Sequence, residues 1–178
     1  GNTVDGPFTL TTTTQSSTAG RTTFVGVVGS AQALFGLTVN GPSTITANIT
    51  TNGPQSWGGT VGGAVTLAGN VALTSTDNNI TIVSSLDATT SGAQSLTINQ
   101  GAGIFYINGT IGGTTKLSSF TVSGQTDLTY GVNTTGVQTY SGGVTLLTSA
   151  NAALNSDLTN NSAAVWMSSL SVTGNGTL

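Results

Sequence analysis

FVGVVGSAQALFGLTVNGPSTITANITTNGPQSW, residues 24–57, returns without a gap as INGTIGGTTKLSSFTVSGQTDLTYGVNTTGVQTY, residues 107–140, at a constant offset of 83. Ten of the 34 paired positions are identical, but the apolar matches carry the argument. Leu34 falls on Leu117, Leu37 on Phe120, Val39 on Val122, Ile45 on Leu128, Ile49 on Val132 and Trp57 on Tyr140. What recurs is a burial pattern, the mark of a stacked repeat architecture. The echo continues outside this block with small insertions: Asp5-Gly6-Pro7-Phe8-Thr9-Leu10 pairs with Ser91-Gly92-Ala93-Gln94-Ser95-Leu96, and Thr173-Gly174-Asn175-Gly176-Thr177-Leu178 reads the same way. The expectation is a single continuous segment over residues 1–178, made of two repeats (about 5–90 and 91–173) with the start of a third at 174–178. Such a segment reads as part of a longer array.

Short apolar-x-apolar triplets recur along both copies, among them Leu37-Thr38-Val39, Val65-Thr66-Leu67, Ile80-Thr81-Ile82, Leu96-Thr97-Ile98, Phe120-Thr121-Val122, Val144-Thr145-Leu146 and Leu170-Ser171-Val172. Period-two alternation puts the two apolar side chains on one face of a strand and the Thr or Ser on the other. Gly, Asn or Ser soon follows most triplets and ends the strand in a bend. Starting from Leu37, the first residues Val65, Leu96, Phe120, Val144 and Leu170 follow at steps of 28, 31, 24, 24 and 26 residues. That spacing suits one coil of a parallel β-solenoid. The predicted fold is all-β, a parallel β-solenoid of about six or seven coils; the alternative is a tandem of antiparallel β-sandwich repeats.

Composition supports β-structure and removes several function classes. Charged residues make up 4% of the chain: Arg21, Lys116, Asp5, Asp77, Asp87, Asp127 and Asp157. The Glu and Lys that clothe exposed helices are almost missing, whereas Thr, Ser, Val and Ile abound. A net charge of −3 gives no basic patch for nucleic acid. No apolar run is long enough to span a bilayer, so membrane insertion is not expected, and without cysteine the chain forms no disulfides.

Gly92-Ala93-Gln94-Ser95-Leu96-Thr97-Ile98-Asn99-Gln100-Gly101-Ala102-Gly103, residues 112–124 (GGTTKLSSFTVSG) and residues 134–146 (TTGVQTYSGGVTL) resemble the repeats of large bacterial exoproteins of the filamentous-haemagglutinin and autotransporter-passenger kind. The likeness runs from Asp5 to Leu178 and identifies an architecture better than a protein. It implies a right-handed parallel β-helix, secreted and extracellular at the cell surface, serving as an adhesin shaft or fibre.

Catalytic chemistry is hard to assemble from these residues. With no His or Cys and a single Lys, a nucleophilic Ser or Thr has no ordinary base. The aspartates follow no common repeat position, and only Asp77 and Asp157 occupy near-equivalent places, the one candidate carboxylate pair. The chain is read as non-catalytic, with no cofactor and no metal. Gly58-Gly59-Thr60-Val61-Gly62-Gly63 lacks the Lys-Ser/Thr of a phosphate loop. Six Asn-x-Ser/Thr sequons, at Asn48, Asn79, Asn108, Asn133, Asn160 and Asn175, are candidate glycosylation sites, although composition alone yields nearly as many. Trp57, Tyr140, Trp166 and Tyr106 are candidate glycan-stacking aromatics if exposed, with core packing the simpler reading. Rows of outward Thr raise ice binding, but each triplet supplies only one. The expected partners are neighbouring repeats or other copies end to end, and host or matrix glycans; the competing reading is a carbohydrate-binding or carbohydrate-cleaving module.

Overall fold

The computed structural model describes residues 3–15, 20–59, 62–156 and 165–172; among these it contains only strands, turns and bends. The strands are β1 (Thr9–Thr13), β2 (Thr22–Phe24), β3 (Gly36–Asn40), β4 (Ser43–Ile45), β5 (Ile49–Thr51), β6 (Gln55–Trp57), β7 (Val65–Leu67), β8 (Val71–Ser75), β9 (Ile80–Ile82), β10 (Leu86–Ala88), β11 (Leu96–Asn99), β12 (Phe105–Ile107), β13 (Phe120–Val122), β14 (Thr126–Thr134), β15 (Gln138–Ser156) and β16 (Val165–Val172). Every pairing between them is parallel. The chain is a β-solenoid, as the triplets predict, and the antiparallel sandwich is excluded.

Three faces close each coil. The first stacks Leu10, Leu37, Gln55, Ile80, Phe105, Thr126, Val144 and Leu170 in register. The second stacks Thr22, Ser43, Val65 and Leu86, and continues through Ile111, Val132 and Leu154. Val4, Val28, Ile49, Leu73, Ile98, Val122, Tyr140 and Met167 run up the third. β14 and β15 are long because they run round corners, with register shifts at Leu128/Tyr130, Tyr130/Val132 and Tyr140/Gly143. Such bulges bend a strand without ending it.

The coil is shorter and less regular than the triplet spacing suggests. Of the triplets counted from Leu37, Val65 lies on the second face, Leu96 and Phe120 on the third, and Leu37, Val144 and Leu170 on the first. True rungs on the first face are 27, 18, 25, 25, 21, 18 and 26 residues apart. A three-residue strand with two inward side chains fits any face, so spacing alone cannot separate one coil from a coil and a third.

The duplication obeys the same freedom. Leu37 and Gln55 are neighbours on the first face, whereas their counterparts Phe120 and Gln138 are neighbours on the third. Ile49 lies on the third face and its counterpart Val132 on the second. Eighty-three residues therefore span three coils and two further faces. The second copy repeats the first, turned about the solenoid axis.

Inward residues form one continuous core through all three faces, with Leu34, Val39, Ile45, Leu67, Ile82, Ile107, Leu117 and Leu128 fully buried. Each such aliphatic side chain contributes about 1.5–3 kcal/mol. Aromatic edges lock the core at two levels: Phe24 meets Trp57 at a centroid distance of 5.5 Å, and Phe120 meets Tyr140 at 5.6 Å. Outward positions are mostly Thr, Ser and Asn, and carry little charge.

Candidate functional site

Trp57 and Tyr140 are 0% and 1% exposed, so the structure removes both as glycan-stacking rings. Their shared position carries a polar device within the core instead. Gln55 accepts the Trp57 indole Nε1–H at 3.2 Å and donates from Nε2 to Thr51 Oγ1 at 3.3 Å and Thr74 O at 2.8 Å. Gln138 repeats this on another face: its Oε1 accepts the Tyr140 hydroxyl at 3.1 Å, and its Nε2 donates to Thr134 Oγ1 at 3.3 Å, Val132 O at 3.1 Å and Asn155 O at 3.0 Å. Thr51 and Thr134 cap the same arcs by donating to Gly53 O and Gly136 O. A Cβ on Gly53 would strike Phe35 O, so the arc admits only glycine there. Composition hides this motif, yet its signal stands in the duplicated block: Thr51, Gly53 and Gln55 are identical to Thr134, Gly136 and Gln138.

Burial pushes the Tyr140 phenol far above its ordinary value. Above about pH 10 the unfolded phenol ionises while the folded one keeps its proton. Stability is then lost as pH rises, by up to about 1.4 kcal/mol per pH unit for one proton. Urea titrations from pH 9 to pH 11 are expected to show a shallower alkaline decline for Tyr140→Phe than for wild type; equal slopes would refute this.

Most of the polar side chains singled out in the sequence clasp one coil to the next. Asp5 Oδ1 accepts from Ala31 N at 2.9 Å, Asp77 Oδ1 from Ala102 N at 2.8 Å, and Asp87 Oδ1 from Thr114 N at 2.8 Å and Thr115 N at 3.0 Å. The Ala31 amide is the main cause that holds the Asp5 carboxyl below its ordinary value. Asp77 takes φ 53° to make its clasp, an αL conformation that Asp tolerates better than most residues. Its suggested partner Asp157 lies outside the described residues.

The sequons divide. Asn48 and Asn79 are exposed, yet their Oδ1 atoms accept from Ala72 N at 2.8 Å and Ile104 N at 2.9 Å. Asn108 is exposed and accepts from Thr129 Oγ1 at 3.3 Å. Asn133 is half-buried and accepts from Asn155 Nδ2 at 2.9 Å, an asparagine ladder between coils. Asn160 and Asn175 lie outside the described residues. Trp166 stands opposite Thr139 on β16; its side chain lies outside what is described.

One group of chemistry-bearing residues is left on an open face. The outward row of the first face reads Thr11, Thr38, Ser56 and Thr81, then Tyr106 and Asp127, then Thr145. Gln125 Nε2 donates to Asp127 Oδ1 at 3.1 Å and to Thr145 Oγ1 at 2.8 Å. Two residues further along the strands, Asn108 and Thr129 are joined by their own hydrogen bond. Asp127 is the one aspartate of the described four with no hydrogen bond to a backbone amide. The Tyr in Phe105-Tyr106-Ile107 is legible from the sequence as an outward aromatic, but its apposition to Asp127 depends on a 21-residue coil that triplet counting does not reveal. Comparisons with protein-family models, curated proteins and solved structures return no match.

Proposed function

We propose that the chain is a non-catalytic structural segment of a secreted, extracellular fibre or adhesin shaft at the cell surface, and that its coils associate end to end. The observation that carries this reading is the uninterrupted inward ladder, which reaches both terminal coils with strand edges unpaired among the described residues. β1 pairs only with β3, β2 only with β4, and β16 only with β15. Leu170, in an inward column, is 43% exposed on the last coil, and Leu10 is only half-buried on the first. Open edges and uncovered apolar rungs favour another coil stacked in parallel, whether from neighbouring repeats or from another copy. The faces between add little charge, so a long stack would serve as a spacer.

Sedimentation of the purified chain over a wide concentration range tests this. The expected result is elongated species that lengthen with concentration, and reversion to monomer for Leu10→Lys, which sets a charge in the junction while circular dichroism remains that of a β-protein. A wild-type chain that stays monomeric up to its solubility limit would sink the association. Surface labelling of cells expressing the parent protein would test the location.

A further inference from the structure

We infer that the first face carries a binding site for neutral glycans, centred on Tyr106 and Asp127. The row that contains them is elsewhere Thr or Ser, and here alone it changes to an aromatic ring beside a carboxylate on adjacent strands, Cα register Tyr106↔Asp127. Around that pair the surface is amphipathic. Val83 follows β9 and is 38% exposed, beside Asn108, whose amide donates to Ile82 O. Tyr130 is 44% exposed at the bulge that ends this face. Among the described residues, apart from Leu170, these are the large exposed apolar residues beyond the first coils.

The polar groups are arranged and not spent. Gln125 fixes one oxygen of Asp127, and Asn108 is oriented through its Oδ1. The Tyr106 hydroxyl, the Asn108 Nδ2 and the second Asp127 oxygen have no partner among the described residues. A pyranose offers the matching chemistry, an apolar C–H face for a ring and paired hydroxyls for a carboxylate and an amide. Strands about 4.8 Å apart give a patch about 14 Å long from Thr81 to Thr145, room for a short run of hexose units. Charge selects the class. The carboxylate of Asp127 opposes polyanions, and Arg21 lies on another face, where its Nη1 donates to Ser43 O at 3.0 Å, Thr44 Oγ1 at 2.9 Å and Thr66 Oγ1 at 2.7 Å. Binding needs only one face of one chain, so it stands whether or not the chain assembles into fibres.

Titration calorimetry of the whole chain against maltohexaose, cellohexaose, chitohexaose and laminarihexaose, with heparin alongside, tests the site. At least one neutral oligosaccharide is expected to bind, with a loss of about tenfold or more for Tyr106→Ala and for Asp127→Ala. Tyr106→Phe, which keeps the ring, is expected to retain more affinity than Tyr106→Ala, and Thr38→Ala, on the same face three coils nearer the first, to bind as wild type. Thermal melts of each variant separate lost binding from lost fold. No binding to any neutral probe, binding to heparin alone, or affinity that Tyr106→Ala and Asp127→Ala leave unchanged in folded protein would overturn the assignment.

Discussion

Trp57→Ala is expected to destabilise the chain by about 3–5 kcal/mol, the range for truncating a fully buried large aromatic, and to lower its melting temperature by about 6–20 °C. Trp57 is 0% exposed, stacks between Val39 and Ile82 on the first face, and meets Phe24 edge-on at 5.5 Å. Removing the indole opens a void between coils that cannot collapse, because β6 is pinned by its pairing with β3 on one side and β9 on the other. It also leaves Gln55 Oε1 without its donor. In a stacked repeat the damage is felt at the junction of neighbouring coils, so denaturation is expected to become less cooperative as well as earlier. Trp57→Phe keeps most of the volume and should cost markedly less. Urea melts of the three proteins check both points, and a loss for Trp57→Ala below about 1 kcal/mol would contradict the packing described.

Gln138→Leu is the second large effect, although it replaces a polar core residue by an apolar one of similar size. Gln138 is fully buried and serves the Tyr140 hydroxyl, Thr134 Oγ1 and the carbonyls of Val132 and Asn155. Leucine leaves those groups buried with one partner fewer, each at about 1–3 kcal/mol. A net loss of about 2–4 kcal/mol is expected, since some of the groups keep a second partner or reach water. The pairing has a sharper signature. Tyr140→Phe in the Gln138→Leu background removes the stranded hydroxyl, so the double variant should be more stable than the sum of the single losses predicts, by about 0.5–3 kcal/mol. Strict additivity would show that Gln138 and Tyr140 do not act as a unit. The same cycle at Gln55 and Trp57 should give coupling of the same sign, because the duplicated block rebuilds the motif on a different face.

The sequence by itself determined an all-β repeat fold and favoured the β-solenoid, and the parallel pairing then excluded the antiparallel sandwich tandem. Period-two triplets fix which side chains point inward, a duplicated burial pattern marks a repeat, and with no Glu and a single Lys there is no vocabulary for exposed helices. It also marked Trp57 and Tyr140 as equivalent, and the identity of Gln55 with Gln138 already held the buried motif. Register was beyond it. Which triplet lies over which depends on the lengths of the corners, which vary enough for rungs to fall 18 to 27 residues apart, and the triplets themselves are interchangeable among three faces. Only the folded coils decided that Leu37 stacks on Gln55 and not on a position near Val65, and that the second copy is turned on the axis. The apposition of Tyr106 and Asp127 was settled in the same way. Inward or outward is a local property of alternation along one strand, whereas neighbourhood across strands is a sum over every loop between them.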